Sequence, residues 1–197
     1  MHTALVTPNK PLRNDAGFTL LEILVAIVIF SIGLLGIASL QMNGMRFTQD
    51  SQLRAIATAQ AEAITDRMRA NSAGMIDKKY NITTGSIPAS FPTDCSSANC
   101  SSDDLAIYDL VTWNATTTDV TQPKTSNADV LPNGSGVVCI DSTPNDGTPA
   151  AWACDGLGTI YAIKVTWTER TVGRNDRDIV TNDQDTIVQR LVMRVIP

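Results

Sequence analysis

One segment limits what this chain can fold into: from Phe18 to Leu40 it carries a single charge, Glu22, among apolar and small residues. As a helix rising 1.5 Å per residue, the segment would be about 35 Å long, which is enough to cross the hydrocarbon core of a bilayer. A carboxylate in hydrocarbon costs about 2.5–3.5 kcal/mol on insertion scales, so it is retained where it has a partner. The segment therefore predicts a membrane helix with a functional acid near its start.

Residues 1–17 precede this helix and carry Lys10 and Arg13. Positive charge ahead of an apolar span keeps that end in the cytoplasm, although Asp15 reduces the bias. An ordinary cleaved signal peptide has an apolar core of about 7–15 residues without an acid, so the length of the span and Glu22 both argue against one. A plain signal anchor would explain the length but gives Glu22 no role.

The charge and the histidine content exclude several classes of function. The formal net charge is −5 and no basic cluster exceeds the pair Lys78–Lys79, which argues against nucleic-acid binding. The single histidine is His2, so a chain that has lost residues 1–17 contains none. This excludes a Ser–His–Asp triad, a Cys–His pair and histidine metal ligands. No glycine-rich phosphate-binding motif occurs, and we expect no cofactor, no metal and no enzymatic activity.

The helix is expected to continue through residues 41–70. This stretch is rich in Ala, Gln, Arg and Met, which favour helix, and no proline or turn cluster occurs before Asn71 and Gly74. Its apolar residues recur at helical spacing, which predicts an amphipathic stripe packed on something else. The stripe consists of Met45, Leu53, Ile56, Ile64 and Met68. We therefore expect one helix over residues 18–70, with a stop at Asn71 and Gly74.

Residues 71–197 differ from the preceding helix in their sequence pattern. The stretch around residues 86–104 is rich in turn formers, a short helix is expected near 103–115, and "TSNADVLPNGSG" is expected to be a turn-rich link. Strands are predicted in "GVVCID", "TIYAIKVTWTE" and "DTIVQRLVMRVI", with a long polar connection between the last two. The predicted fold class is α+β, in which the long N-terminal helix packs on a small, mostly antiparallel β-sheet.

Four cysteines, Cys95, Cys100, Cys139 and Cys154, all lie beyond the apolar segment. An even number in that position suits disulfide bonds in an oxidising compartment. Four cysteines allow three pairings and the sequence alone does not choose between them. We favour the sequential pairing, because each cysteine lies in or beside a short loop. A zinc site is a weak alternative, since neither spacing is C-x-x-C.

Two acidic groups, Asp176/Asp178 and Asp183/Asp185, raise the question of calcium. Oxygen-rich loops bind this ion, but the EF-hand spacing with its glycine and distal glutamate is absent. We interpret the stretch as a solvated loop.

The sequence "GFTLLE", followed by the apolar helix, resembles the processing site of type IV prepilins and pseudopilins. The resemblance implies that prepilin peptidase cleaves between Gly17 and Phe18 and that the new amino group of Phe18 is methylated. It also implies that Glu22 acts in subunit assembly, by pairing with the N-terminal ammonium of a neighbouring subunit. An opposite charge at short distance offsets much of the cost of a desolvated carboxylate, so such a pair would fix the stagger of the subunits.

Within that class the chain resembles minor pilins of the PilV kind, on the blocks "AITDRMRANSAGM" and "DLAIYDLVTW" ahead of "LPNGSGVVC". The resemblance implies a pilin-like ladle and a role in priming pilus assembly, which would support adhesion and twitching motility. Implied partners are other minor and major pilins, the inner-membrane assembly platform, a tip adhesin, and membrane lipid before assembly. The implied location is the inner membrane, in a single pass with the head in the periplasm, and then the pilus at the cell surface.

The resemblance also divides the chain into four parts: leader peptide (1–17), filament-core half of the helix (18–40), amphipathic half (41–70) and α+β head (71–197). Two alternatives remain. One is a minor pseudopilin of a type II secretion system, which would share the leader and the helix and which a neighbouring operon of secretion genes would identify. The other is a membrane-anchored periplasmic protein, which as an enzyme would need a site built without histidine.

Overall fold

The computed structural model describes residues 17–83, 87–114, 125–170 and 186–197, with the backbone alone at Arg170 and Thr186. The elements are α1 (Leu20–Ala70), α2 (Ser72–Ile76), α3 (Ser102–Asn114), α4 (Asn127–Val130), β1 (Ser135–Ile140), β2 (Tyr161–Arg170) and β3 (Thr186–Val195). Most of the expected leader, the polar connection after β2 and its two acidic groups lie outside the described residues.

The chain divides into two units, an N-terminal unit that ends at Phe47 and a head unit, Thr48–Pro197. Helix α1 is continuous over 51 residues, as predicted, and contributes to both. The four-part division expected at residues 17, 40 and 70 stays a prediction.

The start of α1 is set by Thr19. The Thr19 hydroxyl accepts a hydrogen bond from the backbone N–H of Glu22 at 3.2 Å, and the Thr19 carbonyl accepts one from Ile23 at 3.2 Å. A side-chain oxygen at this position satisfies one of the donors that the first helical turn leaves free. The helix therefore begins just after the expected processing site.

The end of α1 differs from the expectation in one respect. The helix ends at Ala70, but Gly74 does not act as a stop, because it lies inside α2. Asn71 caps α2, and its Oδ1 accepts a hydrogen bond from the backbone N–H of Gly74 at 3.2 Å. A Cβ at Gly74 would lie 2.6 Å from the Asn71 amide nitrogen. Glycine at this position therefore allows close packing against Asn71 and does not end the helix.

The second half of α1 packs on the sheet through a stripe that begins later than predicted. Ala57, Ala61, Ile64 and Met68 are buried, and they are flanked by the partly buried Leu53 and Ile56. Met45 is 65% exposed, so its place in the predicted stripe was wrong. The two buried alanines were not predicted, because hydrophobic periodicity gives little weight to small side chains.

The sheet has the order β1-β2-β3, and both strand pairs are antiparallel. The three predicted strands are therefore confirmed. One face of the sheet packs against α1 and is called the inner face; the opposite face is called the outer face. The inner face contributes Val138, Ile140, Tyr161, Ile163, Val165, Trp167, Leu191, Met193 and Val195 to the core. Successive side chains of a strand point to opposite faces, which explains this alternation.

Two further helices complete the head unit. Helix α3 matches the predicted short helix, and the Ser101 hydroxyl caps it by accepting a hydrogen bond from the N–H of Asp104 at 3.1 Å. Trp113 on α3 is buried and donates its indole N–H to the Gln60 carbonyl of α1 at 2.8 Å. The expected turn-rich link contains a one-turn helix, α4, in which the Ser126 hydroxyl donates to Asp129 at 2.7 Å.

Replacing Ile64 tests the packing of α1 on the sheet. Ile64→Ala removes a fully buried side chain and leaves a cavity, so we expect the free energy of unfolding of the head unit to fall by about 2–5 kcal/mol. The measurement is denaturant unfolding of the full chain in detergent, followed by the fluorescence of the three buried tryptophans, Trp113, Trp152 and Trp167.

The matched control is Ile76→Ala, since Ile76 is 68% exposed and should change stability by no more than about 0.5 kcal/mol. Equal effects of the two substitutions would contradict the packing of Ile64 between α1 and the sheet.

Candidate functional site

The expected processing segment lies in an open part of the N-terminal unit. Residues Gly17, Phe18 and Thr19 precede α1, are not helical and are exposed, with Phe18 79% exposed. Apart from its two chain neighbours, no described residue lies within 4 Å of the position that a Cβ would take at Gly17. The bond between Gly17 and Phe18 therefore lies in non-helical, exposed chain.

Glu22 lies in the first turn of α1 and is exposed. A negative side chain in the first turn is favourable, because the backbone N–H groups there give the helix end a partial positive charge. The segment that follows is apolar and exposed: α1 includes a window of mean hydropathy 2.8, none of which is buried within the protein. An exposed apolar surface of this size requires lipid or other apolar helices around it.

The head unit has a second candidate surface, the outer loop, which we define as residues 141–155. It begins directly after β1 and lies on the outer face of the sheet. A disulfide bond joins Cys139 of β1 to Cys154, with 6.0 Å between the Cα atoms. Val137, Cys139 and Trp152 are buried together in a small second core between the sheet and the loop. Both faces of the sheet are thus covered, one by α1 and one by this loop.

Lys164 lies on the outer face of β2 and binds the outer loop. Its side chain is fully buried, and its ammonium donates hydrogen bonds to the carbonyl of Trp152 at 2.7 Å and to both the carbonyl and Oδ1 of Asp146 at 3.2 Å. Its Nζ also lies 2.6 Å from Oδ2 of Asp141, whose side chain is fully buried. Among the described residues, this oxygen accepts no hydrogen bond.

Arg190, on the neighbouring strand β3, binds the same loop. Its guanidinium donates to the carbonyl of Asp146 at 2.7 Å, to that of Gly147 at 2.6 Å and to that of Asn145. Gly147 has φ +81°, a conformation that residues with a Cβ rarely adopt. Two cations on neighbouring strands therefore fix the backbone of the loop tip.

The loop is also held by its own carboxylates. Asp155 accepts hydrogen bonds from the hydroxyl and the backbone N–H of Ser142 and from the N–H of Leu157, and these bonds lower its pKa. The hydroxyl of Thr143 donates to Asp146 at 2.8 Å, which together with Lys164 lowers the pKa of Asp146. Both carboxylates stay ionised at neutral pH.

One group of side chains at the loop has the composition of a metal site: Cys139, Asp141 and Cys154 approach one another. The two sulfur atoms are joined in a disulfide bond, so neither is a thiolate ligand, and the Lys164 ammonium already neutralises Asp141. These residues do not fit a metal ion.

The first two cysteines close a separate loop before α3. A disulfide bond joins Cys95 to Cys100, with 5.6 Å between the Cα atoms, so the structure contains both bonds of the sequential pairing. Asp94 organises this loop by accepting hydrogen bonds from Ser96 and Ser97, and its pKa is lowered mainly by Ser96.

A buried polar cluster joins the end of α1 to α3. The Tyr80 hydroxyl donates to Asp109 at 2.6 Å and accepts from the side-chain amide of Asn71 at 3.2 Å. Arg67 donates to the Thr112 hydroxyl at 2.8 Å, and its guanidinium lies 4.0 Å from Asp109. Burial raises the pKa of Asp109, although the Tyr80 hydroxyl and Arg67 act in the opposite direction. Burial, followed by the hydrogen bond to Asp109, also raises the pKa of Tyr80.

Two family models match consecutive parts of the chain. Residues 12–38 match the prokaryotic N-terminal methylation motif, and residues 39–111 match type IV pilin Tt1218. The chain belongs to the type IV pilin family. No curated protein and no solved structure matches it.

Membership of the family confirms the resemblance at the level of type IV pilins. Type IV pilins are structural proteins, and the family implies processing of the methylation motif by prepilin peptidase and contact with other pilins. The exposed apolar segment of α1 is consistent with membrane anchoring and with a pilus.

Sequence reasoning found the methylation motif of this pilin but missed the polar contacts of its head. Lys164 lies in a strand that reads as ordinary alternation, and nothing in the sequence marked its full burial. The Tyr80–Asp109 contact gave no signal, because the two residues are 29 positions apart in the sequence.

Lowering the pH should increase the free energy of unfolding through protonation of Asp109. Because the folded pKa of Asp109 is raised above its ordinary value of 3.8, the native state binds the proton more tightly than the unfolded state. The stability of the wild type relative to Asp109→Asn should therefore increase as the pH falls from 7 through the folded pKa. The measurement is denaturant unfolding of both proteins at several pH values.

Tyr80→Phe gives a second test. The Tyr80 hydroxyl lowers the pKa of Asp109, so its removal should raise that pKa further. In that background the gain on acidification should be larger. A difference between the wild type and Asp109→Asn that stays constant or falls with acidification would refute the assignment.

Proposed function

We propose that this type IV pilin is a minor pilin of the PilV kind, which takes part in priming and assembling a type IV pilus through its N-terminal helix. Adhesion and twitching motility would depend on it through the pilus. The observation that carries the proposal is the position of Glu22, which lies within the matched methylation motif, in the first turn of an exposed apolar helix that begins two residues after Phe18.

The proposed processing has two steps. Prepilin peptidase cleaves between Gly17 and Phe18, where the chain is non-helical and exposed, and the new amino group of Phe18 is then methylated. An N-methylated amine keeps its positive charge, so methylation preserves its attraction to a carboxylate. The mature chain would begin two residues before α1.

The proposed role of Glu22 follows from its surroundings. A lone carboxylate at the start of an apolar helix is unfavourable in lipid, and equally so among the packed helices of a filament. The ammonium of Phe18 from a neighbouring subunit would neutralise it, and a misaligned subunit would leave two charges unpaired. Glu22 would thus select the correct stagger at the moment a subunit leaves the membrane.

The proposed course of the subunit has two stages. Before assembly, α1 spans the inner membrane once, with the N-terminus in the cytoplasm and the head in the periplasm. During assembly, the inner-membrane platform transfers the helix from lipid to the helices of other minor and major pilins. The head then stands at the cell surface, where the outer loop is a candidate contact for a tip adhesin. This is a structural role without catalysis or nucleic-acid binding.

Mass spectrometry of the N-terminal peptide, taken from protein in its native membrane, tests the processing. We expect a chain that starts at Phe18 and carries one additional methyl group. A chain that starts at Met1 would indicate a plain anchor, and one that starts after Leu40 would indicate an ordinary signal peptide. Either result would overturn the proposal.

Replacing Glu22 tests the assembly role. Glu22→Ala leaves the neighbouring ammonium without a partner in an apolar environment, so we expect the amount of this pilin in sheared pili to fall on the order of tenfold or more. The measurement is the ratio of the protein in the pilus and membrane fractions, by immunoblot.

Glu62→Ala is the matched control, because Glu62 is an exposed acid of the same helix within the head unit. It should enter pili normally. Equal incorporation of Glu22→Ala and the wild type would exclude the proposed role. A chain that reaches no pili but is needed for secretion would be a pseudopilin instead.

A further inference from the structure

The contact beneath the outer loop brings an amine and a carboxyl group together away from water. Nζ of Lys164 lies 2.6 Å from Oδ2 of Asp141, and neither side chain is exposed at all. The pair is held by regular backbone: Lys164 is in the middle of β2, and Asp141 follows the last residue of the adjacent β1. An amine and a carboxyl group fixed at this distance have a high effective concentration toward each other.

A second carboxylate completes the arrangement. Oδ1 of Asp146 accepts a hydrogen bond from the same Nζ at 3.2 Å, while its side chain is 47% exposed. Asp146 therefore connects the buried amine to solvent and can carry a proton between them. Oδ1 of Asp141 is occupied by the backbone N–H of Thr143 at 3.0 Å, whereas Oδ2, the oxygen nearest the amine, accepts no hydrogen bond among the described residues.

Protein surrounds Lys164 and Asp141 so that neither side chain is exposed. The pair lies between the outer face of the sheet and the loop, beside the buried Trp152, whose carbonyl also accepts from Nζ at 2.7 Å. The disulfide bond from Cys139 to Cys154 closes the loop over it. In a dry site, proton transfer within a Lys–Asp pair removes two buried charges and leaves a neutral amine beside a neutral acid.

We propose that Lys164 and Asp141 react to form an intramolecular amide bond between Nζ and Cγ, with Asp146 as the proton carrier. The ammonium first gives a proton to the Asp141 carboxylate. The nitrogen lone pair then attacks Cγ, and Asp146 accepts a proton from the nitrogen and returns it to the departing hydroxyl. One N–C bond forms, one C–O bond breaks and one water molecule leaves, so the reaction needs no oxidant, cofactor or other reactant.

The product would be a covalent bond between the start of the outer loop and the middle strand of the sheet. Together with the disulfide bond and Arg190, it would hold the loop closed even under reducing conditions or mechanical load. The exclusion of water that favours the reaction also protects the amide from hydrolysis.

Peptide mass spectrometry of the wild-type full chain, reduced and alkylated under denaturing conditions, tests this directly. The sequence contains no lysine or arginine between Lys124 and Lys164, so Asp141 and Lys164 share one tryptic peptide. The bond would block cleavage at Lys164, extend the peptide to Arg170 and lower its mass by one water. Chymotrypsin, which cuts after Trp152 and Tyr161, would leave the two fragments joined.

Three comparisons separate the bond from other causes. Dehydration of Asp146–Gly147 or Asp155–Gly156 to a succinimide also removes one water, but chymotrypsin would then release the fragments. Lys164→Arg and Asp141→Ala should remove the link, and Asp146→Asn should slow its formation. The pair Lys79–Asp103, also 2.6 Å apart but 40% and 51% exposed, should stay unlinked in the same sample.

Every outcome on the wild-type chain decides the question. Joined fragments with the loss of one water support the bond. Free fragments with full cleavage at Lys164 leave only an ion pair and overturn the proposal. A link at Lys79–Asp103 as well would refute the proposed role of burial. The wild-type result stands even if a variant fails to fold.

Discussion

The head of this pilin depends on covering both faces of a three-stranded sheet. A small sheet becomes stable only when an apolar face is packed against something else. Here both faces are covered, each by a different kind of element. On the inner face, Ala57 and Ala61 allow α1 to approach the strands closely, while Ile64 and Met68 fill the core. On the outer face no helix is present among the described residues, and a loop closed by a disulfide bond takes its place.

A loop is a poor cover, because its backbone polar groups need partners when they are buried. Lys164 and Arg190 meet this need by donating to four successive or nearby carbonyls, those of Asn145, Asp146, Gly147 and Trp152. The cost of burying Lys164 is offset by Asp141 and by these carbonyls together. The loop thus supplies the acceptors that the buried lysine requires, and the lysine orders the loop.

The sequence was sufficient to predict the parts of the fold that depend on local patterns. The apolar run and the strand alternation predicted α1 and the three strands close to their observed bounds, and the short helix expected near 103–115 matches α3. It was not sufficient where distant segments meet, as at Tyr80 and Asp109 or Asp141 and Lys164, because no periodicity links such positions. Gly74 shows a third case: its sequence context suited a helix stop, but close packing against Asn71 explains it better.

The distribution of charge follows from the two environments that α1 enters. Residues 18–40 can carry little charge, because every charge there must find a partner in lipid or in a filament, and this makes Glu22 informative. The head unit instead contains most of the acids and bases and can bury a few in pairs, since backbone and side chains supply their partners. In the proposed role, assembly would depend on one residue of the helix, Glu22, whereas the shape of the outer loop is fixed by Lys164 and Arg190 of the sheet.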